Sequence, residues 1–397
     1  MKVLHVIPSV SPSRGGPSTV LRTIVKALAG EGVEIDVVTT NDDGPGFLDR
    51  PLDEPVPLDG ARYFFFRRNF RFYTVSWALA RWLDRHCSEY DLVHIHALFS
   101  FSSTVAARCA RRYGVPYIVR PLGTLNRWGR DRRRPFLKKI SLKFVDLPLL
   151  QGAAAVHFTS EQERLEAYEV APEGRSIVLP NPVAFEKPAA ALGAGWLRTH
   201  YPSIGQQKII LFLSRLDPKK GLDLLFEAFA FVRRHTSDVV LVVSGDGEKS
   251  FVASLQKMVA ALGIGDRVVW TGFIDGPEKY AVFEEASVFV LPSHSENFGV
   301  SVVEAMSHGL PVIVSDQVAL HREISEANAG LVVPCAVPEL GAALLTLFTD
   351  TAFRNAAGRQ SKRLAARFSP DVVAKDLAAA YHEIAGSRPL LKESLAC

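Results

Sequence analysis

Between Val288 and Val314 the chain runs through Val288-Phe-Val-Leu291, a loop ending in Ser293-His-Ser-Glu-Asn-Phe-Gly299, eight residues from Val300 to Ser307, and Val312-Ile-Val314. The two apolar runs have the length and branching of buried strands. Pro292 stops the first, and Gly309 followed by Pro311 ends the helix between them. The same unit opens the chain. Val3 to Ile7 reads as a strand, a helix runs from near Pro17 to Ala29 with Gly30 as its stop, and Glu34 to Thr40 is the next strand. A βαβ opening is the signature of a doubly wound parallel sheet, and such sheets bind ligands in the crevice beyond the C-terminal ends of their strands.

The pattern repeats in two series. In the first, Leu92 to His96, Tyr117 to Val119, Ala154 to Phe158 and Ile177 to Leu179 are strands, and Ser160 with Glu163 forms a capping box. In the second, strands at Lys208 to Leu213, Val239 to Val243 and Val268 to Trp270 alternate with helices at Leu222 to Arg234, 248–262 and Glu278 to Glu285. The 397 residues exceed one ordinary core. Two α/β Rossmann-like domains are expected: 1–185, a linker at 186–205, and 206–369. A final helix starts at Ser369-Pro370, with apolar residues Val372, Val373, Leu377, Tyr381 and Ile384 and a stop at Gly386. Residues 41–61, rich in Pro, Gly and Asp, read as loop.

Hydrophobic residues at 48% and charged residues at 22% describe an ordinary globular chain, and the net charge of +4 suits an acidic ligand without proving one. Cys87, Cys109, Cys335 and Cys397 lack metal-like pairing and read as reduced thiols of a cytoplasmic protein. Neither a signal peptide nor a run long enough to span a bilayer is seen. Two stretches mix cations with aromatics: Tyr63 to Tyr73, and 120–144, where Phe136, Leu137, Ile140 and Phe144 fall on one helical face. They read either as solvated basic faces or as contacts to an anionic membrane surface. A phosphate-bearing acceptor also fits the second.

Chemistry concentrates in a few places. Glu296 lies in a loop and Glu304 eight residues on, inside a helix. That offset is roughly 12 Å of helix rise, the reach from a sugar ring to a ribose. Carboxylates accept hydrogen bonds from hydroxyl pairs, and the helix N-terminus between them favours phosphate. Arg215 and Lys220 sit at the exit of another strand and can neutralise a diphosphate as it leaves. Gly15 and Gly16 follow the first strand, where they make either a tight turn or a ligand contact. His94 and His96 share one face of their strand. With no third ligand evident, no metal site is expected. Asp-x-Asp is absent, so a metal-bridged diphosphate has no support in the sequence.

These motifs resemble the retaining glycosyltransferase family 4 with the two-domain GT-B fold. The matching residues are Arg14-Gly-Gly-Pro17, His94-Ile-His96, Ser214-Arg-Leu-Asp-Pro-Lys-Lys-Gly221, and Glu296 through Pro311 with its Glu-x7-Glu spacing. The resemblance implies two domains facing each other across a cleft and a last helix (370–397) that crosses back to the first. It implies a nucleotide-sugar donor, UDP- or GDP-linked and with no further cofactor, held by the second domain, and a glycan or lipid-linked acceptor on the first. On the family pattern Glu304 looks like the ribose ligand and Glu296 the carboxylate near the donor sugar. Phe298, Gly299 and Val300 look like backbone donors, Arg215 and Lys220 the diphosphate clamp, and His96 a contact to the donor sugar. The amide of Gly16, beside Gly15, would close over the phosphates. Base contacts are expected near Gly245 and around Phe273 and Ile274. Many relatives carry a histidine after the strand Tyr117 to Val119. Here Arg120, Thr124 and Asn126 occupy that loop and are the expected acceptor contacts. A retaining hexosyltransferase of polysaccharide synthesis, cytoplasmic or peripheral on the inner membrane face, is the leading reading. A sugar-nucleotide epimerase of the same fold is the alternative. A nucleic-acid-binding protein would leave the Glu and Arg/Lys constellation without a role, so no nucleic acid is expected.

Overall fold

The computed structural model describes residues 1–126, 139–171, 174–185, 188, 192–193 and 195–386. The basic positions Arg127, Arg130, Arg132, Arg133, Arg134 and Lys138, with Trp128, Phe136 and Leu137, lie outside them. The chain divides into two compact units. One comprises Met1–Pro182 with the last helix, and the other Val183–Ser369.

The first unit is built on a sheet of eight strands. In chain order these are β1 Lys2–Ser9, β2 Glu34–Thr40, β5 Pro55–Leu58, β6 Ala61–Phe66, β7 Leu92–His96, β8 Tyr117–Arg120, β9 Ala155–Phe158 and β10 Ser176–Val178. The spatial order is β10-β9-β8-β7-β1-β2-β6-β5. A separate two-residue pair, β3 Asp42–Asp43 and β4 Gly46–Phe47, follows β2. All neighbours in the large sheet run parallel except the β5–β6 pair. Residues 41–61 were expected as loop, yet Pro55–Leu58 is a strand. Two prolines are tolerated there because the strand lies at the sheet edge.

Alternation gives this sheet two unlike faces. Leu4, Val6, Val93, Ile95, Tyr117 and Val119 form an apolar core with helices α2 (Trp77–His86) and α3 (Phe101–Arg112), which follow α1 (Gly16–Ala29). The other face carries His5, His94, His96, Arg120 and His157, all buried. The register sets His5 beside His94 and His96 beside Arg120. The first unit continues through α4 (Leu147–Gln151) and α5 (Glu161–Tyr168).

The second unit has a six-stranded, wholly parallel sheet: β11 Lys208–Leu213, β12 Val239–Ser244, β13 Val268–Gly272, β14 Val288–Leu291, β15 Val312–Ser315 and β16 Gly330–Val333, in the order β13-β12-β11-β14-β15-β16. Its strands are near-continuous Val/Ile/Leu/Phe runs because helices cover both faces. The expected linker contains α6 (Trp196–His200) instead of plain coil. Leu197 is buried in the second core and the Leu197 amide donates to Glu285 Oε1 at 2.8 Å, so this segment belongs to the second unit. Then come α7 (Leu222–Arg233), α8 (Lys249–Ala261), α9 (Gly276–Glu285), α10 (Val300–Ser307), α11 (His321–Glu326), α12 (Val337–Thr349) and α13 (Thr351–Ala365). The last helix, α14 (Pro370–Gly386), buries Val373, Leu377, Tyr381 and Ile384 and packs on α1 of the first unit, while Val372 faces solvent. No helix among the described residues is long and apolar enough to cross a membrane.

Candidate active site

In the second unit the site assembles at strand ends. β11 leads into a loop whose shape depends on a glycine one strand away. A Cβ at Gly245 would stand 1.9 Å from the Ser214 carbonyl oxygen, and Gly245 adopts φ 141°. The Leu216 amide donates to the Asp246 carbonyl at 2.8 Å, and Ser214 N to Ser244 O at 3.1 Å. This packing presents Arg215 to solvent while Lys220 is buried. The position of Gly245 is therefore demanded by the fold, whatever it also does for a base.

Lys220 Nζ is bonded to Glu296 Oε2 and both side chains are largely buried, 9% and 14% exposed. Burial acts to raise the Glu296 carboxyl, but Lys220, Lys219 and the Phe298 amide overcome it and the net displacement is downward. Lys219 is pulled below the usual lysine range by burial. The expected clamp thus has a different local arrangement. Lys220 is held by Glu296, and the Phe298 amide, expected to face a sugar or phosphate, is directed at the same carboxylate.

Gly299 is left-handed (φ 86°) and starts α10 without a side-chain cap. The first-turn amides around Val300 are therefore the kind of donors an anion uses. One turn on, Glu304 accepts from Lys279 Nζ at 2.5 Å, and burial raises its carboxyl with Lys279 partly offsetting. These two groups help line a cavity of about 150 Å³ with Phe185, Tyr280, Phe283 and His308. Beside it, Phe273 is 74% exposed and Ile274 is buried.

In the first unit, Gly15 (φ 74°) caps α1 and Gly16 is its first residue, and a Cβ at either would meet nothing within 4 Å. His96 ends β7 and is buried. The loops that follow are strained: Ala97 (φ 81°), Phe99 (φ 54°) and Leu122 (φ 56°) all have left-handed backbones. Asp146 Oδ1 holds the first, accepting from Phe99 N at 2.9 Å. Glu163 holds the second, accepting from Gly123 N at 2.6 Å and from Thr159 N at 2.7 Å. Ser160 Oγ does cap α5 through Glu163 N, at 3.1 Å, but the Glu163 carboxylate serves the site loop as well.

Arg120 corrects an expectation. Read as an acceptor contact, it is buried inside the first unit, bonded through Nη2 to Asn181 Oδ1, with Nε and Nη1 unpartnered among the described residues. Burial pulls its guanidinium down to about 10, with Glu163 opposing. Thr124 and Asn126 stay half-buried on the loop, and Thr124 Oγ1 donates to Pro121 O at 2.7 Å.

His5 supplies the third histidine that the sequence did not announce. Ligand nitrogens of His5, His94 and His96 lie within 4.8 Å of one another. Burial depresses all three imidazoles, with the buried Arg120 cation acting the same way, and that cation also repels a metal cation. Lys279 was also missed, because its link to Glu304 is a tertiary contact. Lys219 was signalled only as half of a lysine pair.

The model of the "Glycosyl transferases group 1" family matches residues 198–364, and that of the "Glycosyl transferase 4-like domain" matches 15–182. D-inositol 3-phosphate glycosyltransferase of Jonesia denitrificans is 25% identical over 410 residues, covering 96% of this chain and 95% of the relative. Phosphatidyl-myo-inositol mannosyltransferase of Mycobacterium leprae is 33% identical over 193 residues, 47% of this chain and 49% of the relative. Among solved structures, sucrose-phosphate synthase from Thermosynechococcus elongatus superposes with a TM-score of 0.79 at 20% identity, covering 98% of this chain and 100% of that one. Anabaena HepE in complex with UDP and glucose gives 0.75 at 19% identity, covering 96% and 100%. Fold and relatives define a nucleotide-sugar-dependent glycosyltransferase of GT-B type. The chain belongs to the group 1 glycosyltransferases, family 4. These relatives are transferases and synthases by name, which disfavours the epimerase and nucleic-acid readings.

Proposed function

We propose that this enzyme transfers a hexose-type sugar, with retention, from a UDP- or GDP-sugar to a hydroxyl of a glycan or lipid-linked acceptor, as in cell-surface polysaccharide synthesis. The carrying observation is the buried Lys220–Glu296 pair beside the uncapped start of α10. In this reading Glu304 takes the ribose hydroxyls and Glu296 the donor sugar. Arg215, Lys220 and the amides near Gly299 and Val300 stabilise charge on the diphosphate, and Gly16 and His96 serve the donor from the first unit. Gly245, Phe273 and Ile274 border the base. Thr124 and Asn126 face the acceptor, with Arg120 buried behind them and bonded to Asn181. The sugar C1–O bond to the diphosphate breaks through an oxocarbenium-like state. The acceptor oxygen attacks C1 from the same face, and its proton passes to the departing phosphate oxygen. Trapping of a covalent glycosyl–enzyme adduct would overturn that route.

The relatives' names make inositol phosphates competing acceptor candidates. Thermal-shift screening against UDP, GDP, ADP and their sugars tests the donor, since a ligand of the native state raises Tm by mass action. No shift with any nucleoside diphosphate would sink the assignment. His96→Ala should then lower turnover with the shift retained.

A membrane-peripheral location on the cytoplasmic side has its own support. Phe70, Phe72, Trp77, Ile140 and Phe144 are exposed, Arg67, Arg71, Lys139 and Lys143 are exposed among them, and a Tyr73–Ser141 hydrogen bond ties the two segments together. Aromatics with cations suit an anionic interface. Co-sedimentation with phosphatidylglycerol vesicles, weakened by salt and by Phe72→Ser with Phe144→Ser, is expected. No binding at low salt rejects it.

A further inference from the structure

The histidine face of the first sheet is a hydrogen-bonded chain whose protons can be placed one by one. His157 Nε2 is 3.0 Å from the Leu179 carbonyl oxygen, which only accepts, so Nε2 carries the proton. Burial depresses His157 to about 3 and His5 to about 3, and His94 and His96 further below their ordinary value, so each imidazole is neutral and has one N–H. His157 Nδ1 is then an acceptor, and its partner His94 Nε2, at 3.4 Å, is the donor. His94 Nδ1 in turn accepts from the Tyr381 hydroxyl at 2.6 Å. With that proton committed, the Tyr381 oxygen accepts from His5 Nε2 at 3.4 Å. His5 Nδ1 accepts from His96 Nε2 at 3.0 Å. The chain leaves His96 with its proton on Nε2 and its lone pair on Nδ1. The tautomer is set by the Leu179 carbonyl just past β10 and relayed through a tyrosine from the far end of the sequence.

We propose that Tyr381 is a positioning residue for sugar transfer: through His5 it locks His96 in the Nε2–H form, so that His96 meets a donor-sugar hydroxyl as an acceptor at Nδ1. This rests on the reading that His96 serves the donor. The groups bearing on the chain from neighbouring elements are Arg120 on β8 and, through Arg120, Glu163 on α5.

The test is nitrogen NMR of the full chain with ¹⁵N-labelled histidine, assigned by single histidine variants, beside kinetics of Tyr381→Phe. In the wild type His96 should show a protonated Nε2 and a bare Nδ1, unchanged between pH 6 and 8. Tyr381→Phe removes one hydroxyl, frees both neighbours to re-tautomerise, and should place part of the His96 signal in the Nδ1–H form. Turnover should fall roughly tenfold or more, as when a lost orienting partner leaves a histidine in the wrong tautomer, with donor KM little changed. A wild-type His96 protonated on Nδ1 overturns the proposal, and this decides alone if Tyr381→Phe does not fold. A folded Tyr381→Phe with unaltered His96 signals and turnover also overturns it. His96→Ala separates the two levels. Wild-type turnover there removes the donor role of His96, whereas lost turnover there with normal turnover in Tyr381→Phe removes only the role of Tyr381.

Discussion

Lys220 and Arg215 lie five positions apart on one loop, and their surroundings separate their effects. Lys220 neutralises a largely buried carboxylate, while Arg215 is exposed. Lys220→Ala strands the Glu296 charge and should cost roughly 3 kcal/mol of stability in the second unit, as when one partner of a buried pair is removed. Arg215→Ala should stay within about 0.5 kcal/mol. Turnover should fall in both, by roughly 10²–10³ if each stabilises the departing diphosphate. Urea unfolding beside steady-state kinetics checks this, and an Arg215→Ala enzyme of full activity would remove that residue from the clamp. The residues singled out from the sequence are those that share a short motif, Glu296 with Glu304 and Arg215 with Lys220, whereas their partners in the fold lie further off: Lys220 meets Glu296 across 76 positions. Lys279 meets Glu304 across 25 positions, His5 meets His96 across 91, and Tyr381 meets His94 across 287. A tyrosine in an apolar helical stripe reads as core, which Tyr381 also is, so nothing local announces its hydroxyl.

Elements were more legible than side chains, because burial on both sheet faces leaves long apolar runs and glycine or proline punctuates them. Val300–Ser307 and Lys208–Leu213 have the bounds their residues imply. The misses have the opposite cause. Pro55–Leu58 lacks an apolar run because it lies at an edge, and Trp196–His200 is short and stands in an Ala/Gly-rich stretch, held by contacts to the second core. The same logic separates two glycines of the proposed donor site. At Gly245 a methyl group collides with the Ser214 carbonyl, so Gly245→Ala must displace the loop that carries Arg215. It should cost roughly 1–3 kcal/mol in the second unit and lower turnover too. At Gly16 a methyl meets open space. Gly16→Ala should leave the Tm unaltered, and any lost turnover then reports how closely the substrate approaches the start of α1. A Gly245→Ala protein as stable as wild type would refute the packing argument.

For the molecule as a whole, the histidine face makes stability depend on pH with a definite sign. His5, His94, His96 and His157 are held below the ordinary imidazole value by burial, with Arg120 acting the same way. In the unfolded chain they take up protons near pH 6.5, and in the folded one not until far lower, about 3 for His5 and His157. Below 6.5 the unfolded state therefore binds more protons, and stability falls as pH falls. Above 6.5 these groups contribute no slope. Each contributes up to about 1.4 kcal/mol per pH unit, so together they approach about 5 kcal/mol per unit once well below the unfolded value. Glu304 and Asp146, raised by burial, work in the opposite direction, but as two carboxyls against four imidazoles. The Tm should thus be flat from pH 8 to 7 and drop steeply between 6 and 5, earlier than carboxylate titration alone would bring it. The first unit should unfold at that step, so native-state hydrogen exchange should rise in β1, β7 and α14 before it rises in β11 or β14. His5→Gln keeps a polar side chain but removes one titrating group, and should make the decline shallower by about one proton. A Tm constant from pH 7 to 5, or exchange that rises first in the second unit, would show that the buried histidines are not what couples the fold to acid.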